Sequence, residues 1–388
     1  MGYSIRVLAP SNSTELAEAL RDAAAGGRTI ELAGNHSKRR MAGPVEPADV
    51  SVTTMSLRGV LQYEPRDLTI SVYAGLSWVE FTHMLAENRQ MVPLDPPFGD
   101  GATVGGVISA NCSGPRRRLY GTARDLVIGM QFITLEGKLV KSGGMVVKNV
   151  AGLDMAKLMI GSFGTLAAIA VVNFKVLPMP EVERSFLLPF DTAAAAIQAR
   201  NGILQSPLQP SAIDLLNPAA GAALGNARWL LALRAGGDAG AVQRYEREFA
   251  RFPDGQTFEG ERQAGLWRYV ENFTPQFLGA YEDGAVVRVS CTLKDTEGVM
   301  EWFPGPAVAR AGSGVCHGYF ERVQAAGEWL AGAHRSGCKA VIEFAPEGSR
   351  RTFDLWPSPG GDFEIMQRVK HLFDPRNLLN RGRLYRLI

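Results

Sequence analysis

The 388-residue chain is 46% hydrophobic and carries a formal net charge of +2 at pH 7. This length allows two domains with sizeable cores, and the nearly balanced charge excludes a surface built to bind nucleic acid. No apolar run reaches the roughly 18 residues of a membrane-spanning helix, and the first residues lack the apolar stretch of a signal peptide. We therefore expect a cytoplasmic protein, at most peripheral at the inner membrane through partners.

The first 180 residues alternate short strands with helices, which indicates a mixed helix-and-sheet domain. The predicted elements are a helix that begins at Ser11 or Ser13 and ends at Gly26-Gly27, strands 29–32 and 68–72, a helix over 77–88, strands 126–134 and 139–142, and a strand over 167–175. Apolar spacing and turn residues carry these assignments. The stretch Pro178-Met179-Pro180 predicts a domain boundary.

From Glu181 onward, strand-like runs alternate with helices, which predicts a second sheet covered by helices on one face. The predicted strands are 184–189, 229–233, 285–293, 315–320 and 340–344, and the predicted helices are 192–204, 241–252, 296–303 and 322–334.

The four cysteines and five histidines are scattered along the chain, with no C-x-x-C pair and no histidine pair of metal-ligand spacing. An iron–sulfur cluster needs suitably arranged thiolates, so any such cluster belongs to another chain. A long chain with few cysteines predicts no disulfide framework, and a reducing compartment fits. We therefore predict no metal site.

Residues 99–121, GDGATVGGVISANCSGPRRRLYG, contain six glycines. Glycine permits positive φ and close backbone approach, so such a run can turn several N–H groups toward one anion, most naturally a phosphate or pyrophosphate. The alternative is a glycine-rich connection that binds nothing.

Two common phosphate sites are excluded. No G-x-x-x-x-G-K-[ST] run exists, and Val104 stands where the Rossmann pattern needs its third glycine. The proline-rich residues 91–97 before this run also make a poor strand. The phosphate loop therefore belongs to another architecture.

Four motifs in order carry a resemblance: ATVGG at 102–106, GPRRRLYGTARD at 114–125, VVKNVAGLD at 146–154 and GSFGTL at 161–166. Together they resemble the FAD-binding domain of the vanillyl-alcohol oxidase superfamily, and most closely the small flavoprotein subunits of bacterial glycolate oxidases. The tail HLFDPRNLLNRGRL, residues 371–384, resembles the closing motif of that family. The resemblance implies an α+β protein with a PCMH-type two-subdomain FAD-binding domain over 1–180, an α+β cap domain over 181–361, and a segment 362–388 that returns to the first domain.

The cofactor implied is FAD, and the resemblance assigns its contacts residue by residue. The expected cofactor-binding residues are Gly34, Asn35, His36, Ser37, Pro97, Thr103, Val104, Gly105, Gly106, Ser109, Asn111, Ser113, Gly114, Tyr120, Gly121, Asp125, Lys148, Gly152, Asp154, Gly164, Leu166, Ile169 and Asn380. The basic runs Lys38-Arg39-Arg40 and Arg116-Arg117-Arg118 are solvated faces, neighbours of the pyrophosphate, or contacts for a partner subunit.

Covalent relatives attach the flavin to a histidine in a turn like the one that holds His36, whereas the glycolate oxidase subunits resemble a pattern without histidine there. We expect a non-covalent flavin, with His36 contacting phosphate or the flavin edge. Lys148, beside Asn149, is either a surface lysine or a charge that stabilises the reduced flavin near its N1.

Arg288 lies in an apolar strand pattern, where its guanidinium either clamps a substrate carboxylate or forms a structural ion pair. Arg288 and Lys148 are the candidate catalytic residues. The H-x-G-D-G-N-x-H run and the later E-H-G of the catalytic relatives are absent. His317 lies in the cap without an evident acidic partner, so no histidine base is identified.

The resemblance implies one subunit of a complex that oxidises glycolate to glyoxylate, an FAD-dependent oxidoreductase acting on CH–OH groups. Its expected partners are a larger catalytic flavoprotein, an iron–sulfur subunit that passes electrons onward, and a small 2-hydroxy acid substrate. Two alternatives stay open: an autonomous oxidase of another hydroxy acid or polyol, and a flavin-bearing scaffold without catalysis.

Overall fold

A computed structural model describes residues 6–145 and 153–388. Contacts divide the chain into two compact units. The first unit comprises Met1–Cys112, Thr122–Met179 and Ser358–Ile388, and the second comprises Ser113–Gly121 and Pro180–Pro357. The main departure from the expected division is the short segment Ser113–Gly121, which packs with the second unit rather than with the cofactor loops around it.

The helices are α1 (Ser13–Ala25), α2 (Trp78–Glu87), α3 (Val104–Ser109), α4 (Arg117–Tyr120), α5 (Ala123–Leu126), α6 (Ala156–Met159), α7 (Ala193–Gln205), α8 (Pro218–Gly221), α9 (Ala239–Phe249), α10 (Gly260–Glu271), α11 (Phe273–Ala280), α12 (Thr296–Trp302), α13 (Val323–Arg335) and α14 (Asp362–Phe373).

The strands are β1 (Arg6–Leu8), β2 (Ile30–Ala33), β3 (Val50–Thr53), β4 (Val60–Glu64), β5 (Thr69–Tyr73), β6 (Gln90–Met91), β7 (Val127–Ile133), β8 (Leu139–Gly143), β9 (Ala168–Lys175), β10 (Leu177–Pro178), β11 (Val182–Phe190), β12 (Ala212–Leu216), β13 (Trp229–Gly237), β14 (Gln256–Phe258), β15 (Ala285–Ser290), β16 (Ala307–Arg310), β17 (Val315–Phe320) and β18 (Ala340–Phe344).

The first unit holds a parallel sheet in the order β1-β3-β2 and an antiparallel sheet in the order β4-β5-β9-β7-β8. Helix α1 packs Leu16 and Leu20, both fully buried, into the core between them. Its cap is Asn12, not the predicted Ser11 or Ser13, because the Asn12 side chain accepts a hydrogen bond from the Glu15 N–H at 2.9 Å.

The end of the chain completes this unit. Leu379 forms a β-bridge with Ile30. Behind it, the buried ammonium of Lys370 donates to Asp374 at 2.7 Å and to the carbonyl of Thr165 at 2.8 Å. A buried charge persists when it is paired in this way. The tail therefore forms part of the core of the first unit.

The second unit is built on an eight-stranded antiparallel sheet in the order β14-β11-β13-β12-β16-β17-β15-β18. Side chains alternate between its faces. Val287 and Val289 join the core formed with α7, α9, α12 and α13. The expected mixed helix-and-sheet class is confirmed.

The expectation that helices cover only one face of this sheet is wrong. Helix α10 lies against the other face, where the indole N–H of Trp267 donates to the Ser185 hydroxyl at 2.7 Å. Helix α11 does the same through Thr274, whose hydroxyl lies 2.9 Å from that of Tyr319. Ser185 and Tyr319 alternate with core residues of their strands, which places α10 and α11 opposite that core.

Candidate functional site

Two adjoining clefts in the first unit, of about 590 Å³ and 360 Å³, form one groove. Both clefts are lined by the same central residues: Leu32, Ala33, Gly34, Gly106, Ser109 and Phe163. The groove runs from the turn after β2, across the first residues of α3, to the turn before β9. A long ligand can therefore be held along its length.

The turn after β2 offers unpaired backbone donors. Within the described ranges, the N–H groups of Asn35, His36, Ser37 and Lys38 donate to no acceptor. His36 has a φ of 52°, which turns the peptide groups of this segment out of the strand direction. Successive free N–H groups of this kind form an anion-binding concavity. Gly34 makes the turn possible, because a Cβ there would collide with the Thr103 hydroxyl.

Lys38 supplies a positive charge at the same turn. Its side chain is 8% exposed and lines the cleft, and the contact found for its ammonium is the Ser37 hydroxyl at 3.3 Å. Burial lowers the pKa of Lys38. A buried amine without a carboxylate partner is costly, so an anion in the cleft would stabilise it.

The one carboxylate in the cleft wall is already matched by cations. Glu31 lies 3.4 Å from the Arg39 guanidinium and 3.6 Å from the His36 ring nitrogen. Lys38 is therefore left to face the ligand, and the residues present fit a pyrophosphate.

The glycine-rich run forms one wall of the groove, but its first backbone N–H groups are bonded within the protein and do not face a ligand. The N–H groups of Val104 and Gly105 donate to the carbonyls of Leu76 and Ala74, at 2.9 and 2.7 Å, and that of Gly106 donates to its own cap, Thr103, at 3.2 Å. The expectation that this run turns several amides toward an anion is therefore wrong for these three residues.

Gly105 and Gly106, the two adjacent glycines of this run, have different roles. A Cβ on Gly105 would lie 2.8 Å from the Ala74 Cβ, so Gly105 is required for packing. A Cβ on Gly106 would meet only the Thr103 hydroxyl, at 3.1 Å, and otherwise enters the groove. Gly106 is thus the position that allows a ligand to approach the backbone.

Asn380 closes the groove from the tail. Its amide exchanges hydrogen bonds with the backbone of Leu32, at 2.7 and 2.9 Å, and donates to the Phe163 carbonyl at 2.8 Å. It therefore joins β2 to the turn that precedes β9. Gly164 has a φ of 68°, and a Cβ there would lie 2.8 Å from the Asn380 amide nitrogen.

The structure brings about half of the expected cofactor residues into the groove. Those that line it are Gly34, Asn35, His36, Ser37, Thr103, Gly105, Gly106, Ser109, Gly164, Ile169 and Asn380. Those of the first unit that line neither cleft are Pro97, Val104, Asn111, Asp125, Asp154 and Leu166. Asp125, for example, closes a capping box with Thr122 at the start of α5.

Four expected residues, Ser113, Gly114, Tyr120 and Gly121, fall in the second unit. The Arg118 guanidinium fixes their segment there by donating to the Pro210 carbonyl at 2.7 Å. Lys148, Asn149 and Gly152 lie outside the described residues.

Sequence reasoning missed the cleft residues Glu31, Phe163 and Arg383, and it left open whether Lys38 and Arg39 lie beside a pyrophosphate or on a solvated face. The available signal was the basic run beside the turn, which resembles a solvated face until burial is known.

In the second unit, Arg288 and His317 converge on Glu343. The Arg288 Nε lies 3.1 Å from one carboxylate oxygen and the His317 Nε2 lies 3.3 Å from the other. The expectation that His317 lacks an acidic partner is therefore wrong, because β17 and β18 both flank β15 and bring the two residues together. Arg288 also donates to the Ser290 hydroxyl at 3.0 Å.

Burial lowers the pKa of His317 against the opposing effect of Glu343. Burial works to raise the pKa of Glu343, but the hydrogen bond from His317 and the charges of Arg288 and Arg310 lower it overall. A neutral imidazole beside a carboxylate can act as a proton acceptor. Among residues 6–145 and 153–388, no group of three histidine, cysteine, aspartate or glutamate side chains is arranged to hold a metal ion.

Comparison with known families indicates the class of protein. Residues 5–143 match the FAD binding domain family, and residues 359–384 match the C-terminal domain of FAD linked oxidases. The chain is 29% identical to glycolate oxidase subunit GlcE of Escherichia coli, over 96% of this chain and 97% of that protein. The expected resemblance is therefore confirmed, and FAD is the cofactor.

Other relatives match over shorter stretches. Glycolate oxidase subunit GlcD of Bacillus subtilis is 26% identical over 54% of this chain and 45% of its own length. The mitochondrial D-lactate dehydrogenase 1 of Saccharomyces cerevisiae is 32% identical over 42% of this chain and 27% of its own length.

Two solved structures share the fold. Alkyldihydroxyacetonephosphate synthase aligns with a TM-score of 0.71 at 18% identity, over 96% of this chain and 75% of that one. The 4-ethylphenol oxidase of Gulosibacter chungangensis aligns with a TM-score of 0.72 at 14% identity, over 97% and 88%. None of the helices in the described ranges has the length and hydrophobicity that a membrane crossing requires.

Proposed function

From the premise that this chain carries an FAD-binding domain of the vanillyl-alcohol oxidase superfamily, we propose that it is the small flavoprotein subunit of a complex that oxidises glycolate to glyoxylate. The observation that carries the proposal is the likeness to GlcE along 96% of the chain. In this proposal a larger flavoprotein provides the complete hydroxy-acid site, and an iron–sulfur subunit accepts the electrons.

The groove residues hold the cofactor in a defined direction. The free N–H groups of Asn35 to Lys38 bind the pyrophosphate together with the Lys38 ammonium, whose contact with the Ser37 hydroxyl leaves it further hydrogen-bond donors. Gly106 lets the ligand lie against the backbone of α3, and Phe163 and Ile169 give the groove an apolar end. Bound FAD supplies two-electron redox chemistry.

The cluster around Glu343 favours a second candidate function, an oxidase that works without partners. A 2-hydroxy acid must have its carboxylate clamped and its hydroxyl proton removed. Arg288 provides a guanidinium, and His317 provides a base that Glu343 orients. The Arg288 charge is already paired with Glu343, however, which is the arrangement of a structural ion pair.

Anaerobic mixing separates the two candidates. The FAD-loaded chain is mixed with glycolate or D-lactate while the flavin absorbance is followed. We expect no bleaching by the chain alone, and bleaching once the larger flavoprotein and the iron–sulfur subunit are added. Bleaching of the isolated chain at a catalytic rate, lost in H317N with unchanged FAD content, would instead establish the autonomous oxidase.

A scaffold that only carries flavin gives a third result in the same assay. In that case the flavin of this chain stays oxidised even in the reconstituted complex. A complex assembled from this chain stripped of FAD would then turn over glycolate as fast as the loaded one, and the electron-handling role would be wrong.

A further inference from the structure

Two thiols from separate parts of the second unit meet at one end of its sheet. Cys291 directly follows β15, and Cys316 lies in the neighbouring β17. The Cys291 N–H donates to the Gly314 carbonyl at 2.9 Å, which extends the pairing of the two strands past the end of β15. As a result, the two sulfur atoms lie 3.9 Å apart.

A buried cation without a carboxylate partner lies beside them. Arg200 of α7 is fully buried, and its guanidinium donates to the carbonyls of Ala311 and Leu293, both at 2.8 Å. Its Nε has no acceptor, and the acceptors found for its guanidinium in the described part of the chain are these two carbonyls. A nearby anion stabilises a buried guanidinium, because it offsets part of the cost of removing the charge from water. The neighbouring thiols are the groups that can provide that anion.

Of the two thiols, Cys291 is the one whose surroundings favour the negatively charged thiolate. The Cys316 sulfur lies 3.9 Å from it and the buried Thr296 hydroxyl 4.0 Å away, and both groups can donate a hydrogen bond to a Cys291 thiolate. The hydrogen bond from Cys316, helped by Thr296 and Arg200 and opposed by burial and by the charge of Asp295, lowers the pKa of Cys291 to about 7. The pKa of Cys316 is raised, because its proton is held between the two sulfurs and the residue is buried.

Solvent exposure distinguishes the two thiols in the same way as their pKa values do. Cys291 is half-buried, whereas Cys316 is completely buried. Thiolates are the reactive form of cysteine, and reactivity requires access. Of the two thiols, Cys291 is therefore the one better placed to meet a reagent, and the Cys316 sulfur lies 3.9 Å from it.

We propose that Cys291 and Cys316 form a peroxide-reactive dithiol, in which Cys291 is the attacking thiolate and Cys316 is the resolving thiol. This site is independent of the FAD groove and of the proposed glycolate chemistry. Its co-reactant is a hydroperoxide, of which hydrogen peroxide is the simplest member.

The chemistry balances in two steps. The Cys291 thiolate attacks one peroxide oxygen, so an S–O bond forms, the O–O bond breaks and hydroxide leaves, which takes a proton to become water. Cys316 then attacks the Cys291 sulfenic sulfur, so the S–S bond forms, the S–O bond breaks and a second water leaves. Two thiols are oxidised by two electrons, and one peroxide is reduced to two waters.

Treatment of the full-length holoprotein with a small excess of hydrogen peroxide tests the proposal. We expect the number of titratable thiols, measured after unfolding, to fall from the four in the sequence by two, and the intact mass to fall by the two hydrogens of a disulfide. Peptide mapping should then find the Cys291–Cys316 cross-link. Retention of all four thiols, or a cross-link from Cys291 to Cys338, would overturn the assignment.

Single variants check each role. C316S should stop at the sulfenic acid, which a dimedone probe traps on Cys291, and C291S should leave the other thiols unreacted. C338S and C112S are the matched controls and should react as the natural chain does. The oxidation of C291S at the natural rate would show that Cys291 is not the attacking residue.

Alkylation by iodoacetamide gives an independent readout of the thiolate. Its rate at Cys291 should reach half of its maximum near pH 7, following the lowered pKa. At pH 7 this rate should be about five- to eightfold faster than for an ordinary cysteine, because a larger thiolate fraction is partly offset by weaker nucleophilicity. A half-maximum at pH 9 would contradict the proposal even if C316S failed to fold.

Discussion

Lys38 allows the assignment of the groove to be tested by two effects of opposite sign. Replacing Lys38 with methionine keeps the length of the side chain and removes the ammonium. We expect K38M to bind FAD more weakly than the natural chain, and its FAD-free form to be more stable. The reason is that Lys38 is 8% exposed and has no carboxylate partner, so a bound pyrophosphate would be the anion that compensates its charge.

The magnitudes follow from that environment. A hydrogen bond from a charged group to a ligand contributes about 1.5–3 kcal/mol, so the Kd for FAD should rise about 10- to 160-fold. In the empty protein, removal of a poorly paired buried amine should raise the free energy of unfolding by about 1–2 kcal/mol.

Lys370 provides the matched control. It is also buried, but its ammonium is bound by Asp374 and by the carbonyls of Thr165 and Leu379. K370M should therefore lower the free energy of unfolding by about 3–5 kcal/mol, because it leaves a buried carboxylate unpaired.

Quenching of flavin fluorescence during titration of the apoprotein measures the Kd, and urea unfolding of the apoprotein measures stability. If K38M bound FAD as tightly as the natural chain, the Lys38 ammonium would not contact the pyrophosphate. If it unfolded as easily as K370M, Lys38 would be a structural residue.

Three further results are expected. G106V should lose FAD while the apoprotein keeps its stability. G105A should instead lower the free energy of unfolding by about 1–3 kcal/mol, because the added Cβ meets Ala74. Equal losses of stability in the two variants would refute the distinction between the two glycines. Acid precipitation should release all of the flavin into the supernatant, and colour retained in the pellet but lost in H36A would show a covalent link. Because the folded-state pKa of His317 is lowered, the unfolded chain binds the extra proton, so stability should fall as the pH drops below about 6.5; urea midpoints between pH 7 and 5 should decrease less in H317N.

Elements with local signals were predictable to within a residue or two. The helix expected over 77–88 spans Trp78–Glu87, and the strand expected over 126–134 spans Val127–Ile133. In both cases the apolar spacing, which is a property of neighbouring residues, already defines the buried face.

Elements defined by distant partners were not predictable. Strands β12 and β16 are only five and four residues long and pair with each other across about 90 residues of chain. Helices α10 and α11 were also missed, because they cover the second face of a sheet whose strand order local periodicity does not reveal. Segment 113–121 was misassigned for the same reason, since Arg118 binds a carbonyl far along the chain.

In the candidate site, too, features set by neighbouring residues were predictable and features set by distant segments were not. The turn at residues 34–37 was predictable from its residue types, and it lines the groove, whereas its binding of the cofactor stays a prediction. The burial of Lys38, the internal bonding of the Val104 and Gly105 amides, and the Glu343 partner of His317 each depend on packing between remote segments. The roles of Arg288 and Lys148 in catalysis stay predictions.

The bridge between Leu379 and Ile30 also fixes an order of events during synthesis. The second unit is complete by Pro357, whereas the first unit still lacks its closing segment at that point. On the ribosome the second unit can therefore fold before the first one is finished. If the groove holds the flavin as proposed, we expect flavin binding to wait until Asn380 has joined β2 to the turn before β9, and a premature stop near the end of the gene to yield a colourless protein with an intact second unit.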